Sequence, residues 1–346
     1  MGDTVSTLLF QPPPPTKLKG EKIIWLNTKE KKRIPAFYIQ HRTVNGMETA
    51  RSLTLEELKC SEPEQGITLL YSHANAEDLG SIYPWCKFLC KMLRVNLFAY
   101  DYCGYGMAFE EGECTVPQRN TPRYRTSFSI FSVHVWIFPI VGSPSEENCY
   151  ADIEAAYGFL RNTLHVPTQN IVLYGRSLGS GPSCHLAAGT AASDDGPVGG
   201  LILHAPFMSV YRIVVDTGCT VYGDRFPNIE YAPMIHSSVL LIHGTSDQIV
   251  PFYHSEKIYQ ALPPACRAKP LYIEGMGHNN VHSAVRPMFV DRVAEYLNQH
   301  VMPFLVHPEM GSAKFVKPKK SFKIRSSSFH KMISGSASDL SSGRSN

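Results

Sequence analysis

The chain has 346 residues, 43% hydrophobic and 18% charged, an ordinary balance for a protein that buries a substantial core. A formal charge of +3 is too small for nucleic-acid binding by the whole chain, because phosphate recognition needs a concentrated basic stripe. Nine scattered cysteines without a CxxC pair fit neither a disulfide framework nor a metal site and predict a reducing, cytoplasmic compartment.

The opening stretch, MGDTVSTLLFQPPPP, lacks the basic segment and long apolar run of a secretory signal, and residues 1–17 are expected to be an N-terminal tail. After it, EKIIWLNTKEKKRIPAFYIQH reads as two strands joined by a polar turn, an antiparallel opening to a sheet. Strand and helix signals then alternate: strands at 67–73 and 95–102 with a helix at 77–93 between them, and an amphipathic helix at 146–164. Further strands are read at NIVLYG (170–175), 199–207, 237–247 and 269–278, and the last helix at 286–301. Short apolar strands alternating with helices define an α/β fold, a mostly parallel sheet with helices on both faces. Ligand-handling groups are then expected beyond the carboxyl ends of the strands.

Two regions break the rhythm. Residues 107–142 lie between a strand and a helix, where a connection usually has roughly 2 to 6 residues. Their apolar end, IFSVHVWIFPIVG, is shorter than the ~20 residues of a spanning helix. The stretch reads either as a lid, with Phe128, Phe131, Trp136 and Phe138 covering an acyl chain or dipping into a membrane, or as intron sequence carried into the reading frame. Its length favours the second. Residues 303–346 lose periodicity, become rich in Ser, Lys and Gly, and read as a disordered tail. The body is expected to span 18–302.

LYGRSLGSGP contains Gly175-Arg176-Ser177-Leu178-Gly179 between a strand signal and a helix signal. In that context G-x-S-x-G predicts a sharp turn that lifts a serine hydroxyl above the sheet, with the following helix N-terminus favouring negative charge beside it. A serine needs a base, and the base an acid that fixes its tautomer. Asp247 follows the strand in VLLIHGTSD, and His278 follows the last strand in LYIEGMGH, so nucleophile, acid and base occur in the order this turn requires. Asp224 competes for the acid but follows no strand signal. His204 and His243 fall within strands and read as packed core residues. The oxyanion needs two main-chain donors, for which the N–H groups of Leu178 and Asn75 are the candidates. Asn75 and Asp78 can also cap the next helix through their side chains, which leaves the main-chain donor free. No metal or organic cofactor is required by this chemistry.

The combination YSHANAEDLG, AYDYCGYG, YADIEAAYGFLRN, NIVLYGRSLGSGP, LILHAPFMS, FPNIEYAPMIHSSVLLIHGTSDQIVPFYHSEKIY and EGMGHNNV resembles the alpha/beta-hydrolase domain-containing protein 17 family over about residues 18–302, apart from 107–142. The resemblance implies the alpha/beta-hydrolase fold and a serine hydrolase that removes palmitoyl groups from S-acylated proteins at the cytosolic face of membranes. It implies Ser177, Asp247 and His278 as the triad. The chain departs from the family at three places. His73-Ala74-Asn75-Ala76 stands where the family has H-G-N-A, so a Cβ at residue 74 is expected to strain a positive-φ turn. The N-terminal cysteine cluster is missing, the first cysteine being Cys60. The third departure is the segment 107–142 itself.

A replacement anchor is legible at both ends. MGDTVS matches a myristoylation pattern at Gly2, and residues 314–331 carry seven Lys and Arg without an acidic residue. One acyl chain with a polybasic patch suffices for peripheral attachment. The same 314–331 stretch is equally consistent with a solvated tail. The expected substrates are long-chain acyl esters and thioesters. Two further readings stay open, cleavage of amide or peptide bonds by the same triad and a binding scaffold without turnover, the latter prompted by Ala74 and by 107–142.

Overall fold

A computed structural model describes residues 9–16, 18, 22–60, 66–110, 144–214, 222–280 and 285–305. Gly2, the basic stretch 314–331 and the long segment beyond residue 110 lie outside the described residues.

The chain opens with β1 (Ile24–Asn27), β2 (Lys32–Val44) and β3 (Met47–Leu53), followed by α1 (Leu55–Lys59). β3 is an addition to the two strands predicted there. Asn45 and Gly46 both have positive φ, 50° and 76°, the two left-handed residues of a tight hairpin turn whose twist matches that of its strands. β2 is long enough to pair antiparallel with β1, with β3 and with residues 97–100 of a later strand.

The predicted alternation then follows. β4 (Thr68–Ser72), α2 (Leu79–Leu93), β5 (Asn96–Tyr100), β6 (Phe109–Glu110) and α3 (Glu146–Gly158) lead into β7 (Ile171–Arg176) and α4 (Ser180–Ala191). They are followed by β8 (Gly200–His204), α5 (Val210–Val214), α6 (Asn228–Tyr231), β9 (Val239–Gly244), α7 (Tyr253–Ala261), β10 (Leu271–Ile273) and α8 (Arg286–Tyr296). The described strands form one sheet of ten, ordered β1-β2-β5-β4-β7-β8-β9-β10, with β3 and β6 also on β2. From β5 to β10 every neighbouring pair is parallel.

Period-two alternation sends each central strand's side chains to two separate cores. Leu70, Leu173, Leu203 and Leu241 pack beneath α3, α4 and α7. Leu69, Tyr71, Ile202 and Ile242 pack against α2 and α8 through Ile82, Cys86, Phe289 and Val293. Each such side chain removed from water contributes about 1.5–3 kcal/mol. This two-sided burial holds the central strands rigidly and leaves the carboxyl ends of β4, β7, β9 and β10 as the edge where loops meet. Among the described residues no helix is long and apolar enough to cross a membrane.

Candidate active site

Ser177 begins a single tight turn, Ser177–Gly179, between β7 and α4 and has φ 49°. A left-handed serine costs of order 1–3 kcal/mol, which the packing around it must hold. Gly179 makes the turn possible by close approach, since a Cβ there would run into the Ser72 carbonyl at the end of β4. The hydroxyl of Ser180 donates to the Ser177 carbonyl at 2.7 Å, tightening the same turn. Leu178, next in the turn, places its N–H at the positive end of α4.

Three loops converge on Ser177. His278, beyond β10, has Nε2 2.9 Å from Ser177 Oγ and Nδ1 2.7 Å from Asp247 Oδ2. Asp247, beyond β9, is buried, and its other oxygen accepts the N–H groups of Ile249 and Val250 at 2.9 Å each. Burial alone pushes its carboxyl upward, but the bonds from His243, His278 and the Val250 N–H outweigh burial and hold it well below the usual carboxylate range. An ionised Asp247 selects the His278 tautomer with hydrogen on Nδ1, which leaves Nε2 as an acceptor for the serine proton.

His243, fully buried in β9, packs in the core as predicted and also touches the acid. Its Nε2 lies 3.2 Å from Asp247 Oδ2 and 3.0 Å from the Val250 carbonyl, and its Nδ1 lies 2.6 Å from the Ser255 hydroxyl. Its spacing four residues ahead of Asp247 was the available signal. Asp224 lies elsewhere, accepting the N–H groups of Tyr211 and Arg225. His204 packs against Tyr174, 3.0 Å from its hydroxyl.

The third loop, residues 73–78, follows β4. Asp78 caps α2 by accepting the Ser81 N–H. Asn75 does not cap it: its side-chain amide donates to the Leu9 carbonyl at 2.7 Å and accepts from the Gln11 N–H at 2.9 Å and the Tyr105 hydroxyl at 2.5 Å. The Asn75 N–H has no acceptor among the described residues and remains available as a donor. The strain expected at Ala74 is absent, because its backbone is not in the left-handed region. The Ala74 N–H instead donates to Glu77 Oε2 at 2.9 Å, so the loop turns without needing a glycine.

Arg176, the variable position ahead of the serine, ties two of the loops together. Its guanidinium pairs with Glu77 on one side and donates to Asn279 Oδ1 at 2.8 Å on the other. Beneath, AYDYCGYG supplies struts: the Tyr102 hydroxyl donates to the His73 carbonyl at 2.8 Å, and Asp101 accepts the Leu79 N–H at 2.8 Å. Burial raises the Asp101 carboxyl, partly offset by His73, whose ring lies 3.4 Å away.

Ser177 and His278 open into a cavity of about 610 Å³. Its lining includes apolar Leu178, Phe207, Val210, Ile213, Ile249 and Val250, together with Leu9, Gln11 and Asn75.

Parallel strands, a left-handed serine at the strand-to-helix turn after β7 and an acid and a histidine beyond the ends of β9 and β10 define the alpha/beta-hydrolase class. Solved structures agree on the fold. An esterase of Pyrococcus furiosus matches with TM-score 0.54 at 12% identity, covering 84% of this chain and 97% of that one. An alpha-beta hydrolase from Vibrio vulnificus matches with TM-score 0.53 at 16% identity, over 80% of this chain and 81% of that one. No protein-family model matches the chain. Sequence relatives are more specific. Alpha/beta hydrolase domain-containing protein 17B of Homo sapiens is 31% identical over 316 residues, 87% of this chain and 93% of that protein. The 17C protein of Xenopus laevis is 34% identical over 247 residues, 71% of this chain but 65% of the frog protein, just under two thirds of its length. The chain belongs to the alpha/beta hydrolase domain-containing protein 17 family.

Proposed function

We propose that the protein is a serine hydrolase that cleaves long-chain acyl esters and thioesters, foremost the acyl-cysteine thioesters of S-acylated proteins. The observation that carries this reading is the unbroken chain of contacts from Asp247 through His278 to Ser177, 2.7 and 2.9 Å, in the wall of a cavity lined largely by apolar side chains. The acyl chain lies along Phe207, Val210, Ile213 and Ile249, and the thioester carbonyl sits over Ser177.

His278 Nε2 takes the hydroxyl proton as Ser177 Oγ bonds to the carbonyl carbon. The carbonyl π pair moves onto oxygen, where the N–H groups of Leu178 and Asn75 stabilise it. Collapse breaks the C–S bond, and the imidazolium returns its proton to the leaving thiolate. Water, deprotonated by His278, then attacks the acyl-serine ester and releases a carboxylic acid and the free hydroxyl. Asp247 keeps its charge throughout and steadies the imidazolium.

A fluorophosphonate probe should label the wild-type protein on Ser177, and acyl-CoA thioesters should compete more strongly as the chain lengthens. Ser177→Ala should abolish labelling and lower kcat by about a millionfold. Full thioester hydrolysis by Ser177→Ala, or better competition by aminoacyl amides than by thioesters, would refute the reading. Attachment to the cytosolic face of membranes is part of the proposal and rests on the sequence of Gly2 and 314–331. It predicts incorporation of a myristate analogue in the wild type and none in Gly2→Ala.

A further inference from the structure

We propose that residues 9–16, read from sequence as tail, are a working part of the active site. They form a strap that fixes loop 73–78 through Asn75 and Asp78, and its Leu9 limits the length of chain the cavity accepts. This rests on the hydrolase reading above for its chemistry, though not for the geometry.

The strap is anchored at both ends. Phe10 is 5% exposed and meets the Phe226 ring edge-on at 6.2 Å within the core under α3 and α4. The Thr16 N–H donates to Asp78 Oδ2 at 2.5 Å, and Leu18 packs against the core on the opposite face of the sheet. The segment therefore crosses from one face to the other over the strand ends. Between the anchors, Pro12 to Pro15 supply an extended backbone with few conformations to lose and no N–H groups to satisfy. Gly80, in the first turn of α2, admits this path, since a Cβ there would lie 2.5 Å from the Thr16 carbonyl oxygen.

The contact on either side of Phe10 bears on catalysis. The Asn75 amide pairs with the strap as a neighbouring backbone would, giving a hydrogen to the Leu9 carbonyl and taking one from the Gln11 N–H. Residue 75 also carries the free main-chain N–H assigned to the oxyanion. A donor that stabilises a transition state must already point at the developing charge, and small displacements are costly in rate. Holding the side chain of Asn75 in the strap and its backbone in a turn closed by Glu77 leaves that N–H one direction. Leu9 and Gln11 meanwhile line the cavity that holds Ser177 and His278.

Gln11→Pro removes the N–H that Asn75 accepts and extends a proline run already present, whereas Gln11→Ala keeps that N–H and removes only the side chain. In the full-length protein with p-nitrophenyl butyrate, Gln11→Pro should lower kcat about tenfold with KM nearly unchanged, and Gln11→Ala, which keeps the N–H bonded to Asn75, should retain clearly more of the wild-type kcat than Gln11→Pro. Amide hydrogen exchange at residues 74–78 should quicken in Gln11→Pro alone. Across p-nitrophenyl esters from four to sixteen carbons, Leu9→Trp should move the optimum to shorter chains and Leu9→Ala to longer ones. Equal kcat and equal exchange in the two Gln11 variants would overturn the strap as a positioning device, and an unmoved optimum in both Leu9 variants would overturn its role in specificity. Failure of the hydrolase reading looks different: wild-type Ser177 goes unlabelled by fluorophosphonate, while the exchange comparison still decides the strap.

Discussion

On one side of Ser177, the loop carrying Asp247 is held mostly from within its own stretch of chain. The N–H groups of Ile249 and Val250 and the ring of His243 all lie within four residues of the carboxylate they support. On the other side, loop 73–78 depends on distant residues: Leu9, Gln11 and Thr16 from above, Tyr102 and Tyr105 from below, Arg176 from the adjacent strand. The first arrangement needs little beyond β9 and its turn. The second is complete only when the N-terminal segment has docked, so its geometry responds to changes far from the serine.

The largest effect expected from breaking the self-contained side is Asp247→Asn. An amide neither carries the charge that steadies the imidazolium nor enforces hydrogen on Nδ1, and kcat should fall about 10⁴-fold, read with p-nitrophenyl butyrate. The variant also has a pH signature. The folded-state pKa of Asp247 is depressed, so its ionised form contributes stability above the unfolded carboxylate value, about 3.9, and that contribution disappears as pH falls through the folded value. The melting-temperature gap between wild type and Asp247→Asn should be full at pH 7 and shrink below about pH 4. A gap independent of pH would mean that the carboxylate is not held by these bonds.

A smaller effect should follow from cutting the link between the two sides. Arg176→Met removes the pair with Glu77 and the bond to Asn279, freeing the 73–78 loop and the segment after His278 together. Misplacement of this kind costs up to about 100-fold, so kcat/KM should drop by roughly 10- to 100-fold, with Arg176→Lys recovering part of the loss through Glu77 alone. An unchanged kcat/KM in Arg176→Met would show that each loop holds itself.

The same division decides what could be read from the sequence. Ser177, Asp247 and His278 each end a contiguous strand signal, and the parallel order of strands brings those ends to one edge, so their meeting place followed from local patterns. Asn75 was legible only as a main-chain donor. The use of its side chain depends on residues 64 and 66 positions away, and no local pattern encodes that pairing. The proline run had no period and read as tail, although its stiffness suits a strap. Ala74 differs in the opposite direction: the resemblance to an H-G-N-A pattern predicts a positive φ at residue 74, whereas here the turn closes through Glu77. β3 was missed because METARSL lacks clean alternation, having only one well-buried end. The Asn45-Gly46 pair ahead of it was the usable signal.

That hairpin supplies the smallest expected effect and a control on the rest. Gly46 has φ +76° and nothing within 4 Å of where a Cβ would stand, so Gly46→Ala meets no clash and incurs only the cost of a left-handed alanine, about 1–2 kcal/mol. The melting temperature should fall by a few degrees, while kcat with p-nitrophenyl butyrate should stay at the wild-type value, because β3 pairs with β2, which β5 separates from β4 and its loop. Gln11→Pro is expected to behave in reverse, losing rate with little stability. If Gly46→Ala lost rate in proportion to stability, general loosening of the sheet could account for the Arg176 and Gln11 variants as well. A separation of the two quantities ties their effects to the geometry of residues 73–78.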